Sequence, residues 1–151
     1  MKTLIVLLGV SVMALIVIKI INGTYDLAFA ARIGMSAMLI FAAMGHFMFP
    51  DGMAMMIPEF IPLKKEMVYF TAVLEIAAAV GLQIGQIRVL TGWLLIIFFI
   101  LILPSNIKAA MEHLDFQKAT FDGKGPIYLW FRIPLQIFFI VWVYVSSIKF
   151  D

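Results

Sequence analysis

Five polar or ionisable side chains stand inside long apolar stretches of this sequence, and their types could do chemistry. They are His46, Glu75, Asn106, Arg132 and Gln136. The imidazole and the carboxylate can exchange protons, the guanidinium can bind anions, and the two amides can donate and accept hydrogen bonds. Because such groups are costly inside a membrane, each marks a candidate functional position.

The stretches that must position these residues are each close to the ~20 residues that a helix needs to cross a bilayer. Of the 151 residues, 64% are hydrophobic and 13% are charged, whereas a soluble domain is about 45–50% apolar and about 25% charged. The sequence therefore predicts an all-α, polytopic membrane protein, a bundle of about five transmembrane helices surrounded by the lipid bilayer. The predicted spans are residues 3–21, 27–49, 67–84, 88–111 and 127–148.

Two regions follow from this division of the chain. Residues 1–26 are predicted to form an N-terminal transmembrane helix with a short turn, and its apolar run is longer than the ~7–15 residues of a signal peptide. Residues 27–151 are predicted to form a four-helix bundle. Within that bundle, residues 50–66 are too short to span and too apolar for a plain loop. Since Pro58 and Pro62 interrupt any helix there, an interfacial segment rich in Met and Pro is expected.

The predicted topology brings the five polar residues to one side of the membrane. The second helix ends, the third begins, the fourth ends and the fifth begins on that side, which the 50–66 segment also covers. At a rise of about 1.5 Å per residue, Glu75 lies about 13 Å inside the third helix. A single polar cavity in one leaflet explains the grouping.

The sequence leaves open how the polar side chains of this cavity interact with one another. Charges at membrane depth usually pair, and Arg132 is the predicted partner of Glu75. The two could form a structural ion pair or a pair that handles a ligand or a proton, and the third alternative is that they make no contact. Asn106 and Gln136 are predicted to make interhelical hydrogen bonds or to contact a ligand. Arg32 is expected to extend to the opposite interface.

Several kinds of chemistry are excluded or disfavoured. The absence of cysteine rules out disulfides, thiolate metal sites and iron–sulfur clusters. No nucleophile triad, phosphate-binding loop, dinucleotide fingerprint or metal-spaced cluster is present, so we predict no catalytic residue and no metal site, and the sequence leans against an enzyme. The net charge of +2 is small and its cations are scattered, which argues against nucleic-acid binding.

Short motifs around the polar residues occur in an order and spacing that resemble the DoxX-like family of small bacterial integral membrane proteins. They are Gly45-His46-Phe47 followed by Pro50, Met56-Ile57-Pro58 with Ile61-Pro62, Val73-Leu74-Glu75-Ile76 with Gly81-Leu82, Leu103-Pro104-Ser105-Asn106-Ile107, and Leu129-Trp130-Phe131-Arg132-Ile133-Pro134-Leu135-Gln136. The resemblance covers about residues 30–148. It implies a four-helix membrane core formed by the last four predicted helices, to which the first helix is an addition.

The resemblance also implies a function. It suggests a non-catalytic accessory subunit of a membrane redox or quinone-linked system, in the bacterial inner membrane, with other membrane proteins of a redox complex as partners. Alternatively, the cavity binds a small lipophilic ligand, for which a quinone or a lipid is the candidate. A membrane-protein chaperone or assembly factor is a second hypothesis, and a small-solute or proton transporter a weaker third. Without cysteine, a thiol-dependent redox role does not carry over.

Overall fold

The structure is a computed structural model that describes residues 2–115, 120–123 and 125–149. Its helices are α1 (Lys2–Asn22), α2 (Leu27–Met48), α3 (Pro50–Ala54), α4 (Lys64–Gly81), α5 (Arg88–Leu101), α6 (Leu103–Met111) and α7 (Leu129–Val143), which a π-helix (Tyr144–Lys149) extends. The described ranges contain no β-strand, and only an isolated bridge joins Asp115 to Thr120. The predicted all-α fold is confirmed. The last two residues of the predicted bundle, 150 and 151, lie outside the described part.

Four helices are long and apolar enough to cross a membrane: Lys2–Asn22, Leu27–Met48, Arg88–Met111 and Leu129–Lys149. The third predicted span is also helical, as α4, but this helix carries four charged residues among its 18 and falls outside the set. Four of the about five predicted spans therefore have the required length and composition, and α4 is a shorter helix with charges at Lys64, Lys65, Glu66 and Glu75.

Large apolar side chains project outward from these helices. Ile20 is 76% exposed and Leu101 is 70% exposed, and only 17% of the α1 span is buried against the rest of the protein. A helix that is apolar on all sides suits lipid surroundings better than water. The outer surface therefore agrees with a membrane setting.

The helices pack around a core that α1, α2, α4, α5 and α7 share. Leu7, Met35, Leu39, Leu82 and Val143 are among its fully buried residues. Small residues let the backbones approach: a Cβ atom at Gly34 of α2 would lie 1.8 Å from Ser11 Oγ of α1, which is closer than any non-bonded contact allows. This close approach fixes α1 against α2.

Proline interrupts one of the predicted spans. The boundary between α5 and α6 falls at Ile102, whose φ of −83° and ψ of −9° stay in the right-handed helical region, and Pro104 occupies the first turn of α6. Proline lacks the N–H that would bond to the carbonyl four residues earlier, so a break here is expected. By contrast, α7 continues through Pro134.

The Met- and Pro-rich connection forms α3 and a series of turns, and we call residues 50–63 the cover segment. Its turns contain Pro58 and Pro62, and helix resumes at Lys64. The cover segment lies at the end of the bundle where α2 ends and α4 begins, which we call the cover end. The other end, where α2 begins and α4 ends, is the opposite end.

Candidate functional site

The centre of the candidate site is a histidine–carboxylate pair between α2 and α4. His46 Nε2 lies 3.5 Å from Glu75 Oε1, and the two side chains are 17% and 6% exposed. They can meet because the neighbouring positions are small: Ala43 of α2 and Ala72 of α4 are buried between the helices, and small residues allow close helix approach. The structure thus places His46 next to Glu75, and the predicted pairing of Glu75 with Arg132 stays a prediction.

Hydrogen bonds around His46 fix where its proton lies. Nδ1 is 3.0 Å from the carbonyl oxygen of Val68 and 3.1 Å from Thr71 Oγ1, and the Thr71 hydroxyl itself donates to that carbonyl at 2.8 Å. Because a carbonyl only accepts, we assign the proton to Nδ1. Nε2 then faces Glu75 Oε1, and it can accept from a carboxyl O–H or, in an imidazolium, donate to a carboxylate.

The other oxygen of this carboxyl group is not satisfied. Glu75 Oε2 is buried and has no hydrogen-bond partner among the described residues. A buried polar atom without a partner costs about 1–3 kcal/mol, and more when the group is charged. Native proteins rarely keep such an atom without a partner, so the position next to Oε2 is where a donor from outside the protein would bind.

The cover segment closes the cover end over this pair. The terminal Cε methyl of Met53 lies near Gly45, where a Cβ atom would be 3.4 Å from it. Lys65 at the start of α4 bonds to Asp51 of α3 at 2.9 Å, and the carboxylate raises the pKa of Lys65 above its ordinary value. Lys108 of α6 donates to the Met55 carbonyl at 2.8 Å. The cover segment is therefore attached to α4 and to α6.

The two predicted amide residues, Asn106 and Gln136, donate hydrogen bonds to carbonyls near the boundary between α5 and α6. Gln136, 2% exposed, donates from Nε2 to the Phe99 carbonyl at 2.9 Å, in the last turn of α5. Asn106 donates to the carbonyl of Ile102, at the break itself, at 3.3 Å. Gln136 thus makes an interhelical hydrogen bond, which was one of its two predicted alternatives. The hydrogen bond of Asn106 instead stays within the α5–α6 span.

Arg132 lies on α7, one turn before Gln136, and is half-buried. The structure thus joins His46 to Glu75 directly, and it gives Asn106 and Gln136 hydrogen bonds at the α5–α6 break. Among the described contacts there is a pair at the α2–α4 contact and an amide group at the break, and the single cavity for all five residues stays a prediction.

A further polar group, which the sequence reasoning missed, lies at the opposite end. Arg32 is only 7% exposed and donates from Nη1 to the Ser146 carbonyl in the π-helix at 2.8 Å. The expectation that Arg32 extends to the interface is wrong, because a π-helix departs from the i→i+4 pattern and offers a carbonyl to an outside donor. Ser36 bonds to the Ala79 carbonyl, and Gln83 bonds to Ser36.

A sequence signal for this group existed. Arg32, Ser36, Leu39, Ala43 and His46 recur at intervals of three and four residues, which places them on one face of α2. All but His46 are buried there. The buried face of α2 is therefore polar at both ends and apolar in the middle.

No group of three or more His, Cys, Asp and Glu side chains that could hold a metal ion occurs in residues 2–115, 120–123 and 125–149. Within these residues the candidate site therefore offers the His46–Glu75 pair, the unsatisfied oxygen Glu75 Oε2 and the Thr71 hydroxyl.

Fold and site together define a small all-α protein with four helices fit to cross a membrane and a buried histidine–carboxylate pair. Residues 35–147 match the family described as a domain of unknown function, DUF8561, and the chain belongs to this family. The match begins within α2, so α1 and the first two turns of α2 lie outside it. No curated protein and no solved structure matches the chain. The resemblance to DoxX-like proteins stays a prediction.

Proposed function

We propose that the chain is an integral, multi-pass protein of the cell membrane with α4 as a fifth crossing. Helix α4 contacts α2 at two positions that lie far apart along both helices. His46 near the end of α2 bonds to Val68 near the start of α4, and Ser36, ten residues earlier in α2, bonds to Ala79 near the end of α4. Ten residues of helix correspond to about 15 Å. Over this length α4 runs antiparallel to α2, so it connects the two ends of the bundle.

Within that membrane protein, we propose that the His46–Glu75 pair binds a small lipophilic ligand through the ligand's polar head group. The single observation that carries this proposal is Glu75 Oε2, which is buried and has no partner in the described part of the protein. A hydroxyl group on the ligand would donate to this oxygen. In its imidazolium form, His46 could donate from Nε2 to a carbonyl of the ligand.

A quinone or quinol has the functional groups that this arrangement requires: an apolar body, and oxygens that accept or donate depending on the redox state. The proposed role is that of an accessory, non-catalytic subunit that holds this ligand next to the redox proteins of a bacterial inner membrane. The resemblance of the His46 and Glu75 motifs to DoxX-like sequences supports this choice. It also agrees with the absence of cysteine, because quinone binding needs no thiol.

The alternative of an assembly factor needs surfaces that accept client helices. The small residues of α4 that would suit this purpose, Ala72 and Ala79, are buried at the contact with α2. Crosslinking in native membranes that captures client proteins, with no small molecule extracted from the purified chain, would favour the assembly factor over the ligand binder.

The proposal is tested by extracting the protein purified in mild detergent and identifying lipophilic compounds by mass spectrometry. In parallel, thermal unfolding is followed with increasing decyl-ubiquinone or its quinol. We expect a copurified quinone and a concentration-dependent rise in Tm for the native sequence, both strongly reduced in Glu75→Gln. Glu66→Gln, at an exposed glutamate in the first turn of α4, is the matched control and should behave like the native protein.

Two results would overturn the proposal. One is an extract that contains bulk phospholipid only and is the same for Glu75→Gln. The other is a Tm that decyl-ubiquinone and its quinol leave unchanged in every variant. If Glu75→Gln lowers Tm without any ligand effect in the native protein, the pair is a structural contact and not a binding site.

A further inference from the structure

A cavity of about 810 Å³ lies at the opposite end of the bundle, between α1, the first turns of α2 and the end of α7. Its volume is within the range of about 300–1,000 Å³ that ligand sites occupy. The residues that line its body are apolar, among them Val12, Leu15, Leu27, Phe138 and Val141. We call it the α1–α7 cavity.

The dimensions of the α1–α7 cavity match one leaflet. On α7 and the π-helix the lining extends from Phe138 to Ser146, eight residues or about 12 Å of helix. Half of a hydrocarbon core of about 30 Å is about 15 Å. The cavity therefore extends from the membrane surface nearly to the midplane, as one acyl chain does.

The lining of the cavity contains one charged residue, Asp26, and a basic residue, Lys19, lies beyond the lining on α1. Asp26 lines the cavity directly, and one carboxylate oxygen caps α2 by accepting from the Phe29 N–H at 3.0 Å. Lys19 lies on α1 one turn beyond Leu15, on the same face. It donates to the Gly23 carbonyl at 2.7 Å and lies 5.1 Å from the Tyr25 ring centre. In the described residues these two charges are not paired with each other, so each can bind a group from outside.

We propose that the α1–α7 cavity holds one phospholipid with a zwitterionic amine head group, of the phosphatidylethanolamine class. The acyl chain fills the apolar body, the ammonium group lies next to Asp26, and the phosphate lies next to Lys19. Of the two grooves along α1, only this one has an ionic residue in its lining within the described chain. A groove of about 560 Å³ on the other side of α1 is lined by apolar residues and Asn22. The inference rests on the proposed membrane setting and is independent of the His46–Glu75 ligand.

The experiment uses the full chain in nanodiscs of equal parts dioleoyl phosphatidylethanolamine and dioleoyl phosphatidylglycerol. Native mass spectrometry of the ejected protein counts the lipids that remain bound. We expect one retained phosphatidylethanolamine for the native chain and for Ala14→Phe, which fills the groove on the other side of α1. Ala28→Phe fills the α1–α7 cavity and should lose that lipid. Both alanines are half-buried groove residues, so the two variants form a matched pair.

A second variant keeps the inference testable if Ala28→Phe does not fold. Asp26→Asn should still retain a lipid, with its preference for phosphatidylethanolamine over phosphatidylglycerol lowered by roughly 1.5- to 5-fold, the size expected for one exposed ion pair. The inference is overturned if the retained lipids have the bulk composition in the native chain. It is equally overturned if Ala14→Phe and Ala28→Phe lose lipid alike, or if the native chain carries a protein or a non-phospholipid molecule in the cavity.

Discussion

Replacing Gly34 with alanine adds a methyl group where α1 and α2 touch. The new Cβ atom would lie 1.8 Å from Ser11 Oγ and 2.7 Å from the Leu7 carbonyl oxygen. The serine hydroxyl can rotate away, but the carbonyl belongs to the α1 backbone. To restore a C···O separation of at least about 3.3 Å, α1 must move by about 0.6 Å relative to α2.

The size of the effect follows from two opposing terms. Overpacking of this kind costs about 1–3 kcal/mol, whereas alanine in place of glycine within a helix stabilises it by about 0.5–1 kcal/mol. The difference between the two ranges is about 0–2.5 kcal/mol, so we expect Gly34→Ala to lower the free energy of unfolding by roughly 1 kcal/mol. Gly9→Ala is the matched control in α1, because a Cβ atom there meets nothing within 4 Å. Its stability should be unchanged or slightly higher.

The assay is unfolding in mixed micelles with increasing sodium dodecyl sulfate, followed by circular dichroism. In the double variant Ser11→Ala/Gly34→Ala, the hydroxyl contact is gone and the carbonyl contact remains, so part of the lost stability should return. If Gly34→Ala is as stable as Gly9→Ala, α1 does not pack against α2 through Gly34, and the arrangement of the N-terminal helix described above is wrong.

Two smaller perturbations test other contacts. Gln136→Leu removes the hydrogen bond to the Phe99 carbonyl and should lower the free energy of unfolding by about 0.6 kcal/mol, the mean for interhelical hydrogen bonds in membranes. The same micelle titration measures this change. A free energy of unfolding that is unchanged or higher would contradict the role given to the Gln136 amide. Asp51→Asn should lower the pKa of Lys65 towards its ordinary value, and NMR of the lysine side chain measures this pKa. Because the pKa of Lys65 is raised in the native protein, the small stabilisation by the Lys65–Asp51 pair is present at neutral pH. This stabilisation is lost as the pH rises through that pKa. A Lys65 titration that is the same with and without Asp51 would show that the cover segment is not attached to α4 by this contact.

Much of the architecture could be predicted from the sequence. The lengths of the apolar runs determined where α1, α2 and the α5–α6 pair begin and end, because a run of about 20 apolar residues has few alternatives to a helix. The missing N–H of Pro104 acts locally and accounts for the boundary between α5 and α6, although Pro134 leaves α7 continuous. These are properties of short segments, and no tertiary contact is needed to infer them.

Predictions about partners were less complete. Asn106 and Gln136 were identified as hydrogen-bonding residues, but the carbonyls that they bind were not. The partner suggested for Glu75 was the oppositely charged residue in the same predicted leaflet, and the contact with His46 that the structure shows was not predicted. Arg32 was expected at the interface and is buried against the π-helix. In each case the residue type was informative and the contact was not.

The physical reason is that contacts depend on how each helix is rotated about its axis and which neighbours it meets. In a soluble protein the contrast between apolar and polar faces fixes this rotation. Here the outer faces are as apolar as the core, so the pattern leaves the rotation open. The sequence by itself determined that there are helices, where they break and which side chains could do chemistry. Only the tertiary structure decided that His46 Nε2 faces Glu75 and that one carboxylate oxygen lacks a partner among the described residues, because small residues such as Ala43 and Ala72 let these two helices approach along that face.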